Sequence, residues 1–374
     1  MKIALVHDYL SQDGGAERVL RSLQRLYPEA PTFVLFHDRA KAHEAFQDRQ
    51  IRESFLKWLP GGRSHYRWYL PLMPLATEKH NLSGFEVVLS SSSAFSKGIV
   101  TSPQTLHLCY CHTPTRFLWT DSQSYLDELD ANPLIKFFLP PLLSRLRLWD
   151  QLSANRVDQF IANSETVARR IQKFYRRESE VIYPPVATDS FRISEQLADY
   201  YLTGGRLVSY KRYDLVIKVF NRLGWPLKIF GTGPLEDQLR ALARPNIEFL
   251  GKVTDEEKAA LYSRALAFIH PQVEDFGITA VESMAAGRPV IALPQGGAGE
   301  TVIEGVTGKF FAEQTWESLL DTMLNFNPRA YDPYQIREQA QNFSVDKFNE
   351  RLTRFVSDQW ENFQKGYRQN RLFA

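Results

Sequence analysis

The segment 270–292 constrains the fold of this chain most, because its pattern changes from strand to helix and back within a few residues. Residues 265–270 are short and apolar, as a buried strand is, and 278–286 have the apolar spacing of a helix that Gly287 would end. Residues 289–293 predict the next buried strand. Such a unit is typical of a parallel α/β sheet, in which the helix N-terminus lies at the carboxyl ends of the strands. Its backbone N–H groups can bind phosphate or sugar oxygens there.

Two carboxylates stand eight positions apart in this segment, Glu274 on the loop and Glu282 in the helix. Carboxylates are good acceptors for the paired hydroxyl groups of a sugar or a ribose. The stretch EDFGITAVESMAAGRPVIA (274–292) resembles the E-x7-E signature of the retaining GT-B glycosyltransferases of glycosyltransferase family 4. The family usually has glycine where this chain has Asp275, a change that we expect to alter the donor pocket only. Without the resemblance, an ordinary α/β crossover with two surface glutamates is the alternative.

Length and composition indicate a two-domain globular protein. The chain has 374 residues, of which 44% are hydrophobic and 24% charged, as expected for a sizeable core. A formal net charge of +2 creates no global field that would favour nucleic acid. Cys109 and Cys111 are too few for a zinc site and too close for a normal disulfide. These two free thiols favour a reducing, cytoplasmic location.

Two halves of the chain alternate strands with helices, which predicts α/β architecture with two parallel sheets. The expected strands are 3–6, 32–36, 87–90, 106–111 and 159–162 in the first half, and 201–207, 227–230, 247–250, 265–269 and 290–293 in the second. The prolines at 184 and 185 cannot continue a helix and end the first half. We expect an N-terminal domain over 1–187 and a C-terminal domain over 188–355. The resemblance implies that a last helix, about 356–374, packs back on the first domain.

A basic pair in GGRLVSYKRYDLVIKVFNRL (204–223) is the second signal. Arg206 and Lys211 lie at a strand end and in the following loop. The diphosphate of a sugar nucleotide is anionic and gains charge as the sugar leaves. An arginine fork and a lysine point charge would stabilise that charge without a metal. The spacing resembles the family's G-R-L-x-x-x-K pattern, while a solvated basic loop is the alternative and Arg212 could face solvent.

Gly231 and Gly233 follow the strand 227–230, where small residues permit close approach of a ligand. Glu236 stands where a dinucleotide fingerprint needs glycine or alanine, which counts against a dehydrogenase. The resemblance implies that this loop approaches the nucleotide. It also implies that the backbone near Lys252 and Val253 meets the base, although a plain turn is an alternative there.

Gly14 and Gly15 follow the first strand but lack the Lys-Ser/Thr of a phosphate-binding P-loop. The resemblance implies a loop that closes over the diphosphate and the acceptor, with a structural turn as the alternative. His112 follows the strand 106–111, and a lone histidine is more often structural than catalytic. The family nevertheless places such a histidine against the donor hexose. The resemblance also implies that Arg116 and Trp119 extend this side of the sugar site toward the acceptor.

The resemblance therefore implies a GT-B fold, two Rossmann-like domains with parallel sheets facing an interdomain cleft, and retaining hexosyl transfer. HDYLSQDGGAERV, YCHTPTRFLW and FIANSETVARRI are similar to the polysaccharide-building branch. The expected catalytic residues are His112, Glu274, Arg206 and Lys211; the donor-binding residues are Gly14, Gly15, Gly231, Gly233, Lys252, Val253, Asp275, Phe276, Gly277, Ile278 and Glu282; the acceptor-binding residues are Arg116 and Trp119. No metal and no other cofactor is expected.

The expected partners are a nucleotide-sugar donor and a glycan or lipid-linked sugar acceptor. UDP-glucose is narrowly favoured as donor over GDP-mannose, since UDP-hexoses are the commonest donors of the family. The alternatives are a non-catalytic sugar-nucleotide-binding scaffold and a GT-B epimerase. No run of eighteen apolar residues predicts a spanning helix. Segments 55–75, 133–149 and 169–177 combine apolar or aromatic residues with arginine and lysine, and permit peripheral contact with the inner face of an anionic membrane.

Overall fold

The chain forms two compact units in the computed structural model, which describes residues 1–61, 66–120 and 133–371. Met1–Tyr183 and Asn349–Ala374 form the first unit, and Pro184–Phe348 form the second. The expected domain ends at 187 and 355 lie a few residues beyond these divisions. The first division between the units falls between Tyr183 and Pro184, where proline prevents regular backbone hydrogen bonding.

The first unit contains a parallel sheet of seven strands in the order β3-β2-β1-β4-β5-β6-β7. The strands are β1 Ile3–His7, β2 Thr32–Val34, β3 Ile51–Glu53, β4 Val87–Ser92, β5 Leu106–Cys111, β6 Gln159–Ala162 and β7 Ser179–Val181. β1 pairs with β2 on one side and with β4 on the other. The strand order reverses between β1 and β4, which is where doubly wound sheets form their ligand crevice.

The second unit repeats this plan with six parallel strands in the order β10-β9-β8-β11-β12-β13. The strands are β8 Tyr201–Gly204, β9 Leu227–Phe230, β10 Ile247–Gly251, β11 Phe268–His270, β12 Val290–Ala292 and β13 Gly308–Phe310. The order reverses between β8 and β11, so the loops that follow these two strands meet at the same edge.

Helices alternate with the strands in both units. The α-helices of the described residues are α1 Gly15–Leu26, α2 Met73–Glu78, α3 Pro133–Ser153, α4 Glu165–Tyr175, α5 Tyr213–Leu223, α6 Glu236–Leu242, α7 Asp255–Arg264, α8 Ile278–Ala285, α9 Ala298–Thr301, α10 Trp316–Leu324, α11 Pro333–Gln341 and α12 Val345–Arg371. Short 3₁₀ helices are Glu44–Phe46, Phe55–Trp58, Tyr66–Leu72, Ser96–Gly98, Ala154–Arg156, Thr188–Ser190, Ser209–Lys211 and Pro328–Ala330. None of the helices in the described ranges is both long and apolar enough to span a membrane.

The predicted fold class, two Rossmann-like domains, is confirmed. The prediction missed β3, β7 and β13, which are three-residue edge strands with mixed exposure and therefore carry little apolar signal. The expected strand 201–207 ends early at Gly204, because Gly205 has φ +131° and turns the chain. The expected strand 265–269 begins only at Phe268.

The core of the second unit explains why α5 packs where it does. Val216, Ile217 and Phe220 lie on one face of the helix and are buried against Ile229 and Ile269 of the sheet. Their spacing is the apolar stripe of an amphipathic helix. Burying such side chains contributes about 1.5–3 kcal/mol each, which fixes α5 and the loop that leads into it.

Glycine is required at position 231 for a steric reason. Gly231 has φ +102°, and a Cβ atom there would lie 1.9 Å from the carbonyl oxygen of Gly205. Gly224 also has positive φ (+69°), but a Cβ atom would meet nothing within 4 Å. The two positions therefore share backbone strain and differ in crowding.

Gly231→Ala should destabilise the protein by about 1–3 kcal/mol more than Gly224→Ala. Both variants strain a left-handed backbone by about 1–2 kcal/mol, while only the first forces two loops apart. Urea unfolding of the two variants measures the difference. Equal losses would show that the loops after β8 and β9 separate freely.

Candidate functional site

A buried ion pair lies at the centre of the second unit's switch point. Lys211, in the 3₁₀ turn after β8, places its Nζ 2.8 Å from Oε1 of Glu274, in the loop after β11. The side chains are only 10% and 16% exposed. The structure thus brings together two residues that the sequence predicted separately, sixty-three positions apart.

Charge governs the protonation of this pair. Burial lowers the pKa of Lys211, but the charge of Glu274 raises it by more, so the net pKa lies above its ordinary value. Lys211 therefore remains an ammonium with three donor hydrogens, of which the carboxylate does not use all. A second anion could bind the same nitrogen.

Three buried polar atoms near this pair have no hydrogen-bond partner among the described residues: the Tyr213 hydroxyl, His270 Nε2 and Gln272 Oε1. His270 is held by Gln272 through Nδ1, at 3.1 Å, and burial lowers its pKa to about 4. Buried polar atoms are usually satisfied. Unsatisfied atoms clustered at a switch point are therefore typical of a ligand site.

The turn before α8 completes this edge. Gly277 has φ +84°, and a Cβ atom there would lie 3.1 Å from His270 Nε2. Phe276 is buried and packs edge-on against Phe343, while Asp275 is half-buried and Ile278 begins α8. The sequence thus placed the helix start correctly, with its N–H groups at the strand ends.

Glu282 lies in a different environment from Glu274. It is 2% exposed, and its Oε1 accepts a hydrogen bond from Lys258 Nζ at 3.1 Å. Lys258, on α7, also contacts Asp255 at 3.0 Å. Lys258 could not be recognised from the sequence, because nothing in its local pattern distinguishes it from a solvated helix lysine.

The glycines in the loops after β9 and β12 allow close contact with neighbouring backbone. A Cβ atom on Gly233 would lie 2.3 Å from the Leu207 carbonyl oxygen, and the Gly231 N–H donates to the Gly251 carbonyl at 2.7 Å. A Cβ atom on Gly297 would lie 2.1 Å from the Phe276 carbonyl oxygen. The close approach that the sequence indicated is, within this chain, an approach between loops.

The remaining predicted residues of this unit lie at the surface. Arg206 is exposed at the turn after β8, and Lys252 is exposed and Val253 half-buried beyond β10. Arg212 has φ +53° and binds Asp214 through Nε and Nη2, at 3.0 and 3.2 Å. Arg212 therefore pairs locally and is not directed at the Lys211–Glu274 pair.

Two other predicted residues, His112 and Gly14, lie in the first unit. His112, at the end of β5, contacts the Ser91 hydroxyl through Nε2 at 2.8 Å. The Gly14 N–H donates to Glu17 Oε2 at 2.9 Å, and Gly15 begins α1. Burial lowers the pKa of His112 to about 3, so the imidazole is neutral at physiological pH.

Trp119 is engaged within its own unit. Its indole N–H donates to Asp150 Oδ2 at 2.7 Å, and its ring stacks on Phe174 at 4.9 Å. Asp150 is buried and also accepts from Thr115 and Tyr175. These contacts pack Trp119 within the first unit. Arg116, three residues earlier in the chain, is half-buried.

Comparison with known families identifies the class of protein. Residues 191–343 match the family model of glycosyl transferases group 1, and residues 13–190 match that of Glycosyltransferase Family 4. The two matches adjoin and together take in most of the chain. The protein belongs to glycosyltransferase family 4.

Curated relatives match part of the chain. The D-rhamnosyltransferase WbpZ of Pseudomonas aeruginosa is 30% identical over 200 residues, 49% of this chain and 51% of that protein. The alpha-1,3/1,6-mannosyltransferase ALG2 of Dictyostelium discoideum is 25% identical over 302 residues, 64% and 69% of the two chains. The chain thus spans about half the length of WbpZ.

Solved structures identify the fold. Alr3699/HepE of Anabaena, in complex with UDP and glucose, superposes with a TM-score of 0.70 at 17% identity, over 96% of this chain and 99% of that chain. Sucrose-phosphate synthase of Thermosynechococcus elongatus superposes with a TM-score of 0.71 at 16% identity, over 96% and 99%. At this identity the likeness establishes the GT-B fold alone.

Acid should destabilise the first unit through His112. Its pKa is about 3 when folded and 6.5 ordinarily, so unfolding takes up a proton below about pH 6.5. The stability that the neutral ring contributes is complete above pH 6.5 and is lost progressively as the pH falls toward 3. In His112→Gln, the slope of unfolding free energy against pH should be smaller by up to about 1.4 kcal/mol per unit. Urea titrations between pH 4 and 7 measure both slopes, and identical slopes would contradict the assignment.

Proposed function

We propose that the protein transfers a hexosyl group from a nucleotide-diphosphate sugar to a hydroxyl of a glycan or a lipid-linked oligosaccharide. The anomeric configuration is retained, and no divalent metal is required. The observation that carries the proposal is the buried Lys211–Glu274 pair, with Arg206 on the same loop. It unites a cation suited to a diphosphate with a carboxylate suited to sugar hydroxyls.

The cations act on the leaving group. As the bond between the anomeric carbon and the phosphate oxygen breaks, the departing diphosphate takes the electron pair and gains negative charge. Lys211, already held in place by Glu274, stabilises that charge at no cost of reorganisation. Arg206, exposed in the free protein, adds a planar fork for phosphate oxygens.

The carboxylates and amides hold the donor. Glu274 and the amides of 275–277 bind sugar hydroxyls, and Glu282 binds the ribose with Lys258 fixing its orientation. The backbone near Lys252 and Val253 meets the base. His112 contacts the hexose. The acceptor hydroxyl attacks the anomeric carbon from the face that the leaving group vacates, and it gives its proton to the departing phosphate oxygen. Arg116 and Trp119 border the acceptor, and Gly14 and Gly15 border the diphosphate.

The donor is UDP-glucose, narrowly preferred, with GDP-mannose next. HepE, which has this fold, was crystallised with UDP-glucose, and this supports the first. ALG2 is a mannosyltransferase, which supports the second. A role in polysaccharide biosynthesis belongs to the same proposal.

Peripheral contact with the inner face of a membrane, and hence a cytoplasmic location, is also proposed. Trp58 and Trp68 are 79% and 72% exposed, and Leu148 and Leu152 are 60% and 55% exposed. Lys57 lies over the Trp58 ring at 4.8 Å. Exposed aromatic and aliphatic side chains beside cations suit an anionic lipid surface. Within the segment 55–75, residues 62–65 lie outside the described residues.

A thermal-shift panel with EDTA present tests the donor. UDP-glucose, UDP-galactose, GDP-mannose, UDP and GDP are compared. A ligand at about 100 times its Kd adds about 2.7 kcal/mol, a shift of several degrees. We expect UDP and UDP-glucose to raise the Tm most. A shift with guanine nucleotides alone would move the assignment to GDP-mannose, and no shift with any compound would favour a scaffold. Interconversion of two sugar nucleotides would favour an epimerase.

Removing the cations should abolish most of the activity. Lys211→Ala or Arg206→Ala should lower kcat/KM by an amount equivalent to about 2–5 kcal/mol of phosphate interaction. Donor turnover, measured by nucleotide release, gives the loss. Lys228→Ala is the matched control, because Lys228 also pairs with a glutamate, Glu248, at 3.1 Å. Unchanged turnover in both site variants would refute the assignment, and a circular-dichroism melt separates lost activity from lost folding.

A further inference from the structure

A chain of polar side-chain contacts joins His112 to the loop of Gly14 and Gly15 in the first unit. Ser91 Oγ lies 2.8 Å from His112 Nε2 and 3.1 Å from His7 Nδ1. His7 Nε2 faces Glu17 Oε1 at 3.9 Å, and Glu17 Oε2 accepts the Gly14 N–H. The four side chains come from β1, α1, β4 and the residue that follows β5.

One backbone contact indicates which nitrogen of His7 carries a hydrogen. His7 Nδ1 also lies 3.2 Å from the Ser91 carbonyl oxygen, which can only accept. His7 Nδ1 therefore carries a hydrogen and donates to Ser91. The Ser91 hydroxyl accepts from His7 on one lone pair, and in the relay proposed below it donates its single hydrogen to His112 Nε2. His112 is then the tautomer with its hydrogen on Nδ1.

All four side chains are shielded from water. Ser91, His7, Glu17 and His112 are 0%, 3%, 2% and 8% exposed. Burial raises the pKa of Glu17, but the nearby His7 ring and the backbone N–H groups of Glu17 and Gly14 together lower it by more, so the net pKa lies below its ordinary value. Glu17 therefore remains a carboxylate that can hold the Gly14 N–H.

We propose that Ser91, His7 and Glu17 are positioning residues, which hold His112 in its Nδ1–H tautomer and tie it to the Gly14 loop. The proposal rests on the sugar-contacting role of His112 given above. The relay presents Nδ1–H as the donor for a sugar oxygen and removes the alternative tautomer. A movement of the Gly14 loop would reach His112 through Glu17 and His7.

The same strand offers a matched control. Ser90, the neighbour of Ser91 on β4, lies 2.8 Å from His107 Nε2, and His107 Nδ1 faces the Arg156 carbonyl. Successive strand residues point to opposite faces of a sheet. Ser90→Ala thus removes an equally buried serine–histidine hydrogen bond on the other side of the sheet, away from His112.

The first test is the tautomer of His112 in the ¹⁵N-labelled protein, by long-range ¹H–¹⁵N correlation, with His112→Gln giving the assignment. We expect Nδ1–H in the unaltered chain and a tautomer mixture in Ser91→Ala. Ser90→Ala should alter His107 and leave His112 unchanged. A His112 found with its hydrogen on Nε2 in the unaltered chain overturns the relay, whether or not Ser91→Ala folds.

The second test is kinetic. Ser91→Ala should lower kcat about tenfold, the equivalent of one neutral hydrogen bond, with little change in KM. Ser91→Thr, which keeps the hydroxyl, should restore most of kcat, and Ser90→Ala should leave it unchanged. Equal losses in Ser90→Ala and Ser91→Ala would reduce Ser91 to a structural role and overturn the proposal.

The two tests distinguish failure of the relay from failure of the proposed function. If no sugar nucleotide is turned over but the Nδ1–H tautomer is lost in Ser91→Ala, the relay stands and the proposed function fails. If transfer is observed and Ser91→Ala retains both its kcat and its tautomer, the function stands and the relay fails.

Discussion

The site of the second unit depends on one buried ion pair, Lys211–Glu274. Each partner would be costly to bury alone, since an unpaired charge away from water loses several kcal/mol of solvation. The pair therefore fixes the loop after β8 to the loop after β11, which are the two loops that meet where the strand order reverses. Any ligand that competes for Lys211 must also accommodate Glu274. A ligand with phosphate and hydroxyl groups side by side meets that requirement.

The glycines around this pair allow the backbones of neighbouring loops to come into close contact. Gly231 and Gly233 let the loop after β9 pack against the backbone of 205–207, and Gly296 and Gly297 do the same for the loop after β12 against 274–276. The loops that follow β8, β9, β11 and β12 are thereby packed against one another. Small residues were expected to make room for a ligand, but their first effect is to hold Lys211 and Glu274 at a fixed separation.

Most of the architecture could be predicted from the sequence, because parallel strands and amphipathic helices carry strong apolar patterns. The strands β5, β6 and β9 match the predicted bounds, and α8 ends within one residue of its predicted end. Edge strands such as β13 were missed, since half-exposed strands lack that pattern. The Lys211–Glu274 contact, and the contributions of Tyr213, His270 and Lys258, depend on loops that come together only in three dimensions. His270 offered one local signal, as a polar residue ending an apolar strand.

The two units share a fold plan but differ in how their strand-end polar groups are satisfied. In the first unit, the Asp8 carboxylate accepts the N–H groups of residues 93–96, at 2.6 to 2.9 Å, so the chain itself occupies an anion-binding turn. Asp150 likewise takes the donors of Lys97, Thr115, Trp119 and Tyr175. In the second unit, Tyr213, His270 and Gln272 keep unpaired polar atoms in the described structure. The first unit takes the donors around Asp8 and Asp150 up within the chain, and there the proposed relay through Ser91 holds His112 in one tautomer.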